Sequence, residues 1–445
     1  MRRVVASFLP MVLVACGPLS APGEFDVRAV TKTPCGIAPV APVTLSQGAS
    51  ASITLEPSRS DVQLSLFLLP DEVDAQLEGA ALRVTASDRA LGAGVLKLTM
   101  TCEGREALVE VPVTVTPRLR WGTPITWSQG PSAREHPALV IDPAAPDVAW
   151  LYGGLGFVPR QFTVMNDLWR LDLRTNAWSE VPTAGAPLVA GGRLATTREP
   201  GVFLLFGGRD AADDISASVY RLDTRTTPAR FEVVATAGRQ GATLNAFAFD
   251  AARARWVSFG GFDGQAPSNQ THTLSLDGAP RWTSAASASA PSPRYGFFWA
   301  VDGERLLVAS GAQAPQPGNP INPANDTWAL DLARLEWTRV EAGSAQAPAR
   351  RNGCGAFDPS TRRLFAWGGT ADGATAVDAL SVLTLGDAQP RWRTARPMGA
   401  APVRASCTGV FDAARRRVLL GFGNTSAARY ADLQVLELLD APALP

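Results

Sequence analysis

Trp150-Leu151-Tyr152-Gly153-Gly154 is an apolar run that ends in a glycine pair. A polar stretch follows, then Asn166-Asp167-Leu168-Trp169-Arg170-Leu171-Asp172, a short turn and Trp178. The same order returns roughly every 50–58 residues to the end of the chain. A period of that size is the mark of a propeller or an array, because one such unit cannot bury its own apolar face.

Six apolar runs carry the glycine landmark, closing at Gly153-Gly154, Gly207-Gly208, Gly260-Gly261, Ser310-Gly311, Gly368-Gly369 and Phe422-Gly423. The fourth and sixth are degenerate. A second landmark, an aromatic opening another strand, also occurs six times: Trp127, Trp178, Phe231, Trp282, Trp337 and Trp392. Glycine is expected where a strand turns sharply or meets another backbone. The large rings are expected to fill the wedges between adjacent sheets. The first aromatic precedes the first glycine pair, and none follows the last. The strand around Ile125-Thr126-Trp127-Ser128 is therefore expected to be the outer strand of the last sheet, closing the ring and hiding its edges.

This set of landmarks resembles the kelch repeat over residues 119–440. The resemblance implies an all-β fold, a six-bladed kelch β-propeller with one four-stranded sheet per blade.

Before the repeats, residues 26–117 read as short strands, with alternation clear in Val109-Glu110-Val111-Pro112-Val113-Thr114-Val115. This pattern predicts a small β-sandwich, immunoglobulin-like in the broad sense, without the buried Trp of a true immunoglobulin domain. The chain opens with Arg2-Arg3, an apolar stretch over residues 4–15, and Leu13-Val14-Ala15-Cys16. Residues 1–16 read as a secretory signal. Their end resembles the lipobox of bacterial lipoproteins, which implies lipidation at Cys16, with 17–25 as a tether. The expected address is a bacterial cell envelope, at the outer membrane or cell surface. Of the five cysteines, four remain after Cys16. In an oxidising compartment they suggest two disulfides, and local pairing favours Cys35–Cys102 and Cys354–Cys407 over the other connectivities.

Charge is balanced, 41 basic against 41 acidic residues. That lacks the basic footprint of a nucleic-acid binder. The 40 glycines and 35 prolines fit short strands joined by tight turns.

The strand opening each blade gives a further register. Arg134, Arg193, Arg294, Arg350 and Arg404 recur there, with Ala242 in the third blade. Eight residues later stand Asp142, Gly201, Asp250, Asp302, Asp358 and Asp412, the acids being turn formers. The five arginines are expected on the face that carries the glycine-pair loops. There they bind a carboxylate, a sugar acid or a phosphate, or else hold neighbouring blades together. The longest loops on that face are 155–165 and 312–324. Residues that differ from blade to blade there, Phe157, Arg160, Phe162, Asp210, Asp213, Asp214, Asp263 and Asn319, are recognition candidates.

Catalytic signals are sparse. The two histidines, His136 and His272, have no partners at metal-ligand spacing. His136 falls where kelch repeats often carry a structural histidine. No nucleophile-elbow or zinc-helix motif is present. The expectation is a monomeric, lipid-anchored recognition protein binding an envelope protein or glycan through the loop face, with no cofactor, metal or nucleic acid. The alternative is a carbohydrate-active enzyme similar to kelch sialic-acid epimerases.

Overall fold

The computed structural model describes residues 35–87, 90–157, 161–234, 238, 241–317, 319, 321–343, 345–386 and 389–439. The expectations for the signal segment, the lipobox Cys16 and Arg160 lie outside the described residues. The described chain is all-β and falls into eight sheets.

Two sheets form the N-terminal sandwich. One orders Val43–Ser46, Arg105–Thr116, Gly92–Cys102 and Gln63–Leu68; the other orders Ser50–Thr54, Ala81–Ala86 and Val73–Glu78. The period-2 alternation is the reason for the fold. Val111, Val113 and Val115 point into the core while Glu110, Pro112, Thr114 and Thr116 are exposed. They meet Leu82, Val84, Leu96 and Leu98, all fully buried. Cys35 is bonded to Cys102. Gln47 joins this unit to the next, donating from Nε2 to Arg396 O at 3.1 Å and accepting from Arg118 N at 3.1 Å.

The other six sheets are the blades. Blade one runs outward from Ala138–Asp142 through Ala145–Phe157 and Phe162–Asp172 to Ala177–Val181. Blades two to six begin at Arg193–Thr196, Ala246–Asp250, Phe298–Asp302, Cys354–Asp358 and Thr408–Asp412. Blade six takes its fourth strand from Leu119–Trp121, which pairs antiparallel with Leu433–Leu438. So the ring closes by the N-terminal side of the repeats, as expected, but six residues earlier than Ile125–Ser128. Ile125 makes only an isolated bridge to Leu433. Packing explains the difference. Phe231, Trp282 and Trp337 each pack on the residue before a neighbouring glycine pair, at 4.7, 4.9 and 4.5 Å from Tyr152, Phe206 and Phe259. Trp121 does the same on Trp367 at 5.5 Å. Trp127 sits instead between Trp178 and Phe422, at 5.4 and 5.6 Å.

Two circles of main-chain hydrogen bonds fix the blade number. In the outer circle, the second residue of each glycine pair donates to the next blade: Gly154 to Val189 O, Gly208 to Ala242 O, Gly261 to Arg294 O, Gly311 to Arg350 O, Gly369 to Arg404 O and Gly423 to Arg134 O, all at 2.7–2.9 Å. A Cβ on Gly368 would lie 2.3 Å from Arg404 O, so the next backbone occupies the space a side chain needs. Ser310 and Phe422, in the two degenerate pairs, keep the left-handed backbone at φ 67° and 56°. The inner circle runs through His136, Gly191, Leu244, Gly296, Asn352 and Ser406. Each donates its N–H to the preceding member's carbonyl, and His136 closes on Ser406 O at 2.8 Å. All six have positive φ, between 53° and 72°. The sixth bond returns to the first blade, so the ring has six members. Cys354–Cys407 ties the inner strands of blades five and six.

Candidate functional site

The inner circle of left-handed residues separates two hollows. On the loop side lies a mouth of about 340 Å³; on the other lies the central channel, about 560 Å³. His136, Leu244 and Asn352 line both.

The recurrent arginines belong to the scaffold. Arg134, Arg294 and Arg404 are fully buried. Arg134 makes a two-pronged bond to Asp167 at 2.6 and 2.8 Å and donates to Gly153 O and Ser132 O. Arg294 repeats this on Asp326, and Arg404 on Asp432. Burial pushes the Asp167 and Asp326 carboxyls up. The bonds and charge of Arg134 and Arg294 outweigh it, so both lie below the ordinary carboxylate range. Arg350 has Ala379 where the others have an acid, so it donates to Ala379 O and Ser381 Oγ. These four guanidiniums hold neighbouring strands and are not an open ring of anion ligands.

Arg193 corrects the register. The residue that accepts from the preceding glycine pair in blade two is Val189, so Arg193 stands four residues past the repeat position. It pairs with Phe206 as Ala138 pairs with Tyr152. Its side chain lines the central channel. The interval to the glycine pair was a readable signal: 14 residues from Arg193, against 16–19 in the other blades. The position eight beyond Val189 is Thr197, not Gly201. The five acids of that series are buried; Asp142, Asp250, Asp358 and Asp412 accept main-chain N–H groups of their turns, and Asp302 accepts from Arg305 and Arg362 instead.

The loop candidates divide. Asp210 and Asp263 accept main-chain N–H groups of their own turns, from Ala212 and Asp214 and from Gln265 and Ala266. Asn319 Oδ1 accepts from Asn322 N at 2.7 Å. These three shape their loops. Phe157 and Phe162 stay exposed, 50% and 59%, with rings 5.4 Å apart. They pair across a ladder that continues through Leu155↔Val164, so within the expected loop 155–165, residues 155–157 and 162–165 belong to two paired strands.

Sequence reasoning missed the residues that surround the mouth. Glu135, Tyr295 and Arg351 occupy the position just after the repeat arginine and Arg209 the one just after the glycine pair, while Arg429 stands five residues beyond the matching position of blade six. Glu135 binds Arg429 at 3.1 Å, and Arg429 lies over the Phe162 ring at 4.7 Å. Arg351 donates to the Tyr295 hydroxyl, with its guanidinium 5.4 Å from the Tyr295 centroid. Arg209 is paired to Asp213. Nε of Arg351 and of Arg429 is buried without an acceptor among the described residues. Burial first, then the charges of Arg193, Arg351, Arg209 and Arg429, hold His136 down at about 3, so its imidazole is neutral at neutral pH. The other histidine, His272, stands on the third strand of blade three, its ring 6.4 Å from that of Trp282. No three potential metal ligands converge among the described residues. The arrangement can recognise negative charge; it shows no acid–base or nucleophilic set.

The KLHDC2/KLHL20/DRC7 Kelch-repeats domain matches residues 190–357. The chain is 28% identical over 264 residues to acyl-CoA-binding domain-containing protein 4 of Arabidopsis thaliana, covering 55% of this chain and 36% of that protein. It is 27% identical over 307 residues to acyl-CoA-binding domain-containing protein 5 of the same plant, covering 65% and 44%. A tRNA wybutosine-synthesizing protein 2/3/4 of Oryza sativa subsp. japonica is 28% identical over 119 residues, 26% of this chain and 11% of that protein. The chain thus spans less than half the length of these curated relatives. The family match supports kelch repeats in this chain, in line with its ring of six blade sheets.

Proposed function

We propose that this is a lipid-anchored extracytoplasmic recognition scaffold whose loop-face mouth binds an acidic protein or glycan. One observation carries the reading. Arg209, Arg351 and Arg429 come from three different blades, and no other blade carries an arginine at the matching position; Arg209 and Arg351 line one concave mouth, and Arg429 reaches it through its pair with Glu135. Long-range attraction to such a site speeds encounter with anions, and a guanidinium fork suits carboxylate or sulfate. The exposed Phe157–Phe162 pair beside Arg429 adds an apolar contact for a larger ligand. Signal and lipobox at Cys16 supply the anchor, and the sandwich stands the propeller off the membrane.

The test is an array of acidic and neutral glycans together with pull-down from envelope extract. The expected result is an acidic ligand whose binding weakens about tenfold or more in Arg351→Gln and falls steeply with salt. Neutral ligands favoured over acidic ones would overturn the reading. A sialic-acid mutarotation assay on the same protein separates binding from the epimerase-like alternative. Cys16→Ser is expected to release the protein from membranes; continued membrane fractionation would count against the anchor.

A further inference from the structure

Arg193 presents a charge with no counterpart. Its Nε donates to Asn245 O at 2.8 Å, and among the described residues it makes no other hydrogen bond or ion pair. The repeat places Ala138, Ala246, Phe298, Cys354 and Thr408 at the same register, so blade two alone puts a cation there. Every fully buried repeat arginine has an aspartate; Arg193 has none. Burial pushes its guanidinium down to about 10. A cation taken out of water without a partner is unfavourable unless an anion arrives to compensate it.

The channel that Arg193 lines holds about 560 Å³, and no acidic residue is in its wall. His136, Asn352 and Thr408 are its other polar side chains, and apolar ones, among them Val140, Ile141, Trp299, Phe357, Val410 and Phe411, run along the inner strands. It extends to Pro143 and Pro359, in the turns at the end away from the loop face. Sites of this volume, apolar with one placed charge, are typical of small ligands.

We infer that the central channel is a second binding site, separate from the mouth, for a small amphipathic carboxylate whose head is held by Arg193 and whose apolar body lies along the inner strands. The carboxylate accepts from the Nη groups of Arg193, and the inner circle of left-handed residues stops the ligand short of the mouth. An alkyl acid and an aromatic acid share this chemistry, and the experiment distinguishes them.

Calorimetric titration of the full chain with octanoate, 2-naphthoate and their neutral alcohols tests the site. At least one acid is expected to bind tenfold or more tightly than its alcohol, and Arg193→Met is expected to abolish that preference. Arg351→Gln, at the mouth, is expected to leave it unchanged. A folding check accompanies the titration: ligand-free Arg193→Met is expected to melt at the same temperature as the parent or above it, because a half-buried charge with no acidic partner among the described residues has been removed. Equal affinity for acid and alcohol, or no binding of either acid, would overturn the inference. So would an acid preference that survives Arg193→Met but is lost in Arg351→Gln, which would instead favour the mouth.

Discussion

Blades four, six and one differ from blades two and three in one residue position. In the first group that position is Arg294, Arg404 or Arg134, locked to Asp326, Asp432 or Asp167. In the second it is Val189 or Ala242, and only the main-chain bond to the glycine pair remains. Where the repeat is kept, the charge is consumed by the scaffold. Where it is broken, charge moves to non-repeat positions, to Arg193 in the channel and Arg209 at the mouth. Recurrence therefore argues for structure, and departure from it marks the side chains available to a ligand.

The sharpest break of this contrast is Arg294→Ala. It strands Asp326 half-buried and unpaired, and should cost about 3–5 kcal/mol in urea unfolding. The double change Arg294→Met with Asp326→Leu should recover most of it, turning blade four into the kind of blade that blade three already is. A small loss in the single variant would mean that the buttress is not structural.

Next in size is the pH response of His136, on which the charges of Arg193, Arg351, Arg209 and Arg429 act. Its folded value, about 3, lies below the ordinary 6.5. The unfolded chain therefore takes up the proton first. Stability from this group is full above pH 6.5 and is lost as pH falls toward 3, about 5 kcal/mol in all. His136→Asn, which tolerates the left-handed backbone, should flatten that slope. An unchanged slope would show that the imidazole does not report on the arginines. As pH falls through and below the ordinary carboxylate range, the unfolded chain protonates before Asp167 and Asp326 do, so a further acid loss should remain in the variant.

Trp121→Ala tests ring closure. Trp121 is half-buried against Trp367, and its removal should cost about 2–3 kcal/mol, read by thermal unfolding. The smallest effect is at the mouth itself. Arg429→Gln should cost about 1–2 kcal/mol, because its pair with Glu135 is largely buried and the glutamine amide can still donate to the carboxylate, while weakening ligand binding. A large loss of stability there would place Arg429 with the scaffold arginines.

Much of the architecture was legible because the landmarks are local. Glycine at Gly207 or Gly368 answers a backbone demand, and a demand repeated six times leaves a period. Alternation at Val111, Val113 and Val115 is equally local. Ring closure was legible in kind but not in place. Trp121 and Trp127 are both aromatics ahead of the first glycine pair, and only packing on Trp367 distinguishes them.

The sequence by itself determined the strand periods, the number of blades and the pairing of an early strand with the last repeat, since each follows from backbone chemistry that recurs along the chain. Tertiary structure alone decided which charges are free. Arg134 and Arg193 look alike in sequence. The shorter interval to its glycine pair marks Arg193 as off register, but only the fold shows what lies across from each, an aspartate 33 residues away for Arg134 and the open channel for Arg193. Electrostatic partnership acts through distance and burial, and neither is written in the order of residues.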